Sequence, residues 1–156
     1  MFIRHSKKDY FSQMKQNREI DPPQAMREVW NDTDLEYVLN ELRYWFYMAL
    51  SHENCAYEEA NDRKVFIEFY DKFLTLIEAT SITNDVSTLP TIKAFYTLYP
   101  IDYVRSELWN FLKAVGIYEG PFTKDIDKVN IFSFYSNLLC IAEAAYTISQ
   151  RVTVSN

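Results

Sequence analysis

Thr33-Asp-Leu-Glu-Tyr-Val-Leu-Asn-Glu-Leu-Arg-Tyr-Trp-Phe-Tyr-Met-Ala-Leu50 is the stretch on which the reading of this chain turns. Thr33 and Glu36 stand at the spacing of a capping box, in which each side chain satisfies a backbone N–H that the first helical turn leaves unpaired. That spacing predicts a helix from Asp34. Leu35, Val38, Leu39, Leu42, Phe46, Ala49 and Leu50 recur at helical intervals and form one apolar stripe, the mark of a helix packed on a core. From Tyr44 to Leu50 the opposite side is apolar too, because Tyr44, Trp45, Tyr47 and Met48 fall off that stripe. A helix apolar on every side must be covered on every side, by its own domain or by another molecule.

Working outward, the same rules place the other elements. Asp21-Pro22-Pro23 ends a short first helix over residues 6–19, since proline lacks the N–H and pushes its predecessor out of the helical region. Pro23 then opens a turn over 24–30 with Ala25, Met26, Val29 and Trp30 on its apolar side. Residues 51–61 read as a polar connector. Asp62 suits an N-cap, and Val65, Phe66, Phe69, Tyr70, Phe73, Leu76, Ile77 and Thr80 repeat at three- and four-residue steps. This predicts an amphipathic helix with one buried face and with Arg63, Lys64, Glu68, Asp71, Lys72 and Glu78 on the wet side.

Residues 81–89 are rich in turn formers and predict the longest loop. Ile92, Phe95 and Tyr96 give a short helix over 91–98, interrupted at Tyr99-Pro100. Val104, Leu108, Phe111, Leu112 and Val115 continue in a further helix, with Gly116 where a left-handed C-terminal cap is expected. The last helix is predicted from Asp127 to Gln150, its buried face built from Ile131, Phe134, Tyr135, Leu138, Ile141, Ala142, Ala145 and Ile148. Residues 151–156 are expected to fray.

These elements predict an all-α fold: a single-domain bundle of four main helices with one to three short accessory helices, over residues 1–156. A chain of 156 residues, 48% of them hydrophobic, can bury such a core without metal or disulfide staples. Only two glycines occur, and neither G-x-G-x-x-G nor G-x-x-x-x-G-K-[ST] is present, which excludes nucleotide sites of those designs. Cys55 and Cys140 form no ligand pattern, and a reducing, cytoplasmic setting is expected. The charged start makes no signal peptide, and Tyr44–Leu50, the longest apolar run, is too short to cross a bilayer, so no membrane partner is expected.

Charge is uneven. Residues 1–20 carry five Lys or Arg against two Asp or Glu, and residues 21–89 carry five against fourteen. An acidic body makes nucleic acid an unlikely partner, because such binding neutralises phosphates with Lys and Arg; the basic residues 1–20 are expected to be a loosely attached segment. For chemistry the sequence offers little. No Glu-x-x-His occurs, so a di-metal carboxylate bundle is not expected. His52 with Cys55 is half a metal site, and Glu58, Glu59 and Asp62 lie in an exposed connector, where solvated acidic residues rather than acid–base catalysts are expected. No catalytic residue, metal ligand or cofactor is assigned.

The surplus of aromatics is what remains. Tyrosine and tryptophan favour places where one end is dry and the other wet, and they are enriched among interface anchors. The sequence therefore predicts a non-catalytic protein–protein interaction or regulatory module, using Tyr37, Tyr44, Trp45, Tyr47 and Met48 to recognise another protein or a second copy as a homodimer. The alternative is a small-molecule binder or enzyme with an aromatic-lined pocket between helices.

Overall fold

A computed structural model of the chain describes residues 22–51, 59–83, 89–117 and 125–154. Among them six helices and no strand are present, an all-α single domain: α1 Pro22–Asp32, α2 Leu35–Ser51, α3 Ala60–Ile82, α4 Leu89–Leu98, α5 Ile101–Ile117 and α6 Asp125–Val154. The predicted helix over 6–19 lies outside the described residues.

The two longest helices organise the rest. α6, of 30 residues, packs on α1, α2, α3 and α4, and α3, of 23 residues, packs on α1, α4, α5 and α6. α2 sits to one side, against α5 and α6, and meets α3 mainly through long rings. Residues 33–50 are therefore a flank of the domain rather than its axis.

α1 is longer than the turn expected from Pro23, and it buries Ala25, Met26 and Val29 as the spacing requires. α2 begins one residue later than predicted. Its cap is Asp34 rather than Thr33: the Tyr37 N–H donates to Asp34 Oδ1 at 2.7 Å, and the Val38 N–H donates to the Asp34 carbonyl at 3.2 Å. Carboxylate oxygens accept more strongly than a hydroxyl, and a negative charge there complements the helix dipole. α3 starts at Ala60 after Glu59, whose side chain makes no capping bond, so Asp62 lies inside the first turn.

α3 departs most from expectation. Its first half is amphipathic, but from Phe73 to Thr80 every residue is buried, Glu78 included. Four neighbouring helices leave no side for water. The helix runs on through Ile82, shortening the predicted loop from its front, and residues 84–88 lie outside the described set. Gly116 falls within α5, which continues to Ile117. α6 likewise extends through Val154, past the expected frayed end at Arg151.

The predicted inner face of α6 is buried throughout, from Ile131 to Ile148, whereas Ser133, Cys140 and Glu143 face outward. By length and composition Asn130–Arg151 could cross a membrane, a longer apolar stretch than the run at 44–50, and half of its most apolar window is buried inside the domain. Buried hydroxyls on these two helices bond within their own helix: Thr75 donates to the Asp71 carbonyl and Ser149 to the Ala145 carbonyl, both at 2.9 Å. This is how such residues enter a core without leaving a donor stranded.

Candidate functional site

Three places gather polar or aromatic side chains. The first is α2, where the five residues singled out by the sequence separate. Trp45 is 1% exposed, edge-on to Phe66 and Phe69 at 5.1 Å and stacked over Tyr70 at 6.3 Å. Met48 is buried as well. Among the described residues the Trp45 indole N–H meets no acceptor, so the ring is held by packing with its donor enclosed among other rings. Both residues belong to the core.

Tyr47, by contrast, is 55% exposed and Tyr37 is 39% exposed, while Tyr44 is half-buried between them. α2 therefore has a wet side, formed by Glu36, Asn40, Arg43 and Tyr47, and Tyr44–Met48 is not covered all round as its composition suggests. Tyr37 leans its edge on Phe69 of α3 at 6.0 Å. Partial burial first, then the charges of Glu41 and Glu68, push its hydroxyl above the usual tyrosine range. On the other flank Phe46 stacks on Tyr135 at 4.3 Å and touches Phe132, which is 61% exposed. Phe132 is an exposed ring that the sequence analysis does not single out; its place two residues before Phe134, off the face that carries Ile131 and Phe134, and three before Tyr135, beside which it meets Phe46, is the available signal.

The second place is an open cleft of about 630 Å³ between α1 and the C-terminal end of α6. Gln24, Arg27, Glu28 and Asn31 share the α1 side with Trp30, and Ser149 and Gln150 supply the other. Gln24 Nε2 donates to Glu28 Oε1 at 3.4 Å, and the Trp30 ring packs edge-on against Tyr146 at 5.3 Å. With one aromatic among amides and a single charge of each sign, the cleft suits a polar, neutral molecule better than an apolar one.

The third place lies at the buried end of α3. Arg105 Nε stands 3.2 Å from Glu78 Oε1, and Arg105 Nη1 stands 3.7 Å from Asp102 Oδ1 at the surface. Beside this pair the Tyr96 hydroxyl donates to the Ile77 carbonyl at 2.6 Å and lies 2.7 Å from Thr80 Oγ1. Burial holds the Tyr96 hydroxyl far above its ordinary range; the Thr80 bond opposes this, and the charge of Glu78 adds to it. Glu78 was expected on a wet face, with the other helical glutamates. It is instead wholly buried, and the guanidinium of α5 makes that tolerable.

Glu59 and Asp62 are exposed. His5, His52, Cys55 and Glu58 lie outside the described residues. Cys140 is a free, exposed thiol. Among the described residues no three His, Cys, Asp or Glu side chains converge as a bound metal would require. Compared with protein-family models, curated proteins and solved structures, the chain gives no match.

Proposed function

We propose that the chain is a non-catalytic helical interaction module that recognises another protein, or a second copy of itself, through the outer tyrosines of α2. What supports the reading is the division within that helix. Val38, Trp45 and Met48 are locked in the core, while Tyr37 and Tyr47 project from the same rigid backbone. An aromatic presented this way loses little conformational freedom on docking, and tyrosine brings both apolar area and a hydrogen bond. The binding surface is accordingly narrower than the sequence implied: Tyr37, Tyr44 and Tyr47 contact the partner, and Trp45 and Met48 hold the helix that carries them.

A photoreactive benzoyl-phenylalanine placed at Tyr47 and, as control, at exposed Glu143 on α6 tests this in cells. The expected result is a discrete adduct from position 47 alone, lost when Tyr37→Ser is added. Twice the chain mass would identify self-association. Equal adducts from both positions, or none from position 47, would overturn the proposal.

The cleft of about 630 Å³ favours a second reading, a small-molecule-binding protein, because it falls in the size range of ligand pockets. A native mass spectrum that retains a small non-protein mass, lost in Arg27→Ala, would favour it over the first.

A further inference from the structure

We propose that the polar contacts at the buried end of α3 form a register key, fixing where α4 and α5 dock along that helix. α3 from Phe73 to Ile77 is buried on all sides and offers its neighbours an apolar surface interrupted only by Thr75, whose hydroxyl is turned back onto its own helix. α5 meets it with Trp109, whose ring is edge-on to Tyr70 at 6.3 Å, on a helix whose Val104, Leu108 and Phe111 are buried at three- and four-residue steps. Such a stripe repeats about every turn, so a slide of roughly 5.4 Å would place apolar side chains against apolar side chains again. Apolar packing alone discriminates weakly between those positions.

The ion pair does discriminate. With Arg105 Nε 3.2 Å from Glu78 Oε1, a one-turn slide carries the guanidinium out of reach and takes that cation from a carboxylate wholly buried in the core. The two partners are unequal in this. Arg105 keeps 23% of its side chain exposed and has Asp102 beside it at the surface, so it can turn back toward water, whereas Glu78 has no exposed surface to retreat to.

α4 is keyed in the same place. Its Tyr96 hydroxyl reaches the Ile77 carbonyl and Thr80 Oγ1, so the two helices after α3 each set one polar side chain, Tyr96 and Arg105, onto residues 77–80. Only Tyr99 and Pro100 separate α4 from α5, and a shift of either helix strains the contact made by the other. A buried charge pair retained where apolar residues would fit is best attested in this role of fixing register.

Spin labels at Lys64→Cys on α3 and Ser106→Cys on α5, both exposed positions, read the register as a distance in a Cys55→Ser, Cys140→Ser background. The parent protein is expected to give one narrow distance. In Glu78→Leu with Arg105→Leu, helix content and cooperative unfolding persist, but a second distance appears, displaced by about 5 Å, one helical turn. Arg105→Leu alone lowers the unfolding midpoint more than Glu78→Leu alone. A double variant with the parent's single distance would overturn the proposal. A double variant that fails to fold would overturn it too, by assigning the pair to stability instead of register.

Discussion

Tyr44–Met48 of α2 and Phe73–Thr80 of α3 make an instructive pair. Helical projection paints the first as apolar on all sides and gives the second a wet face at Glu78, yet water reaches the first at Tyr47 while the second is wholly enclosed. Position in the assembly decides this. α3 has helices on four sides, and α2 has two backbones against it plus the rings that reach across from α3. A tyrosine can tolerate the wet side because its ring ends in a hydroxyl. A glutamate can tolerate the dry side only when a cation is delivered to it, as Arg105 is.

The sharpest way to break the comparison is within α2 itself. Trp45→Ala empties a site walled by Phe66, Phe69 and Tyr70 and is expected to cost about 3–5 kcal/mol in urea unfolding. Tyr47→Ser, two residues on, is expected to stay within about 0.5 kcal/mol of the parent. Comparable losses at the two positions would mean that Tyr47 is covered in solution and that the two segments do not differ in kind.

Why the fold could be read and the site only partly follows from what periodicity measures. α6 carries one regular buried face, so counting steps from Ile131 to Ile148 finds its core without knowing the neighbours, with Phe132 left outside it. Trp45 stands three residues after Leu42 and seven after Val38, on the buried face with them, and Tyr47 lies opposite; a stripe drawn through Phe46 hides that division, although helical spacing carries it. Glu78 defeats the method from the other direction, because its burial depends on Arg105, 27 positions away in the chain. A density signal was nonetheless present: Phe73-Leu-Thr-Leu-Ile-Glu-Ala-Thr80 holds one charge in eight residues, while Arg63–Lys72 holds five in ten. That step in charge along α3 marks where the exposed half gives way to the enclosed one.

A smaller effect sharpens the enclosed side. Tyr96→Phe removes a hydroxyl bonded to the Ile77 carbonyl and to Thr80, with an expected loss of about 1–2 kcal/mol. The pH dependence carries a sign. The folded state raises the Tyr96 ionisation above its unfolded value, so the stabilisation is complete below about pH 10, the ordinary tyrosine range, and is lost as pH climbs through the folded value. Unfolding midpoints should therefore fall above about pH 10 in the parent and fall less steeply in Tyr96→Phe. A residual slope is expected from Tyr37 and Tyr103, which burial and nearby carboxylates shift in the same direction. Identical slopes would place the Tyr96 hydroxyl in contact with water.

The smallest effect concerns how each helix begins. α2 is fixed at its start by a local bond, the Tyr37 N–H to Asp34 Oδ1, whereas Glu59 before α3 makes no side-chain cap and that helix is secured by burial near its other end. Asp34→Ala is thus expected to cost about 1 kcal/mol, and Thr33→Ala and Glu59→Ala a few tenths at most. The order matters more than the size, because the capping-box spacing favours Thr33 and the geometry favours Asp34. Should Thr33→Ala prove the costlier of the two in urea unfolding, the helix starts where its spacing says, and the local anchoring that sets α2 apart from α3 rests on a different side chain.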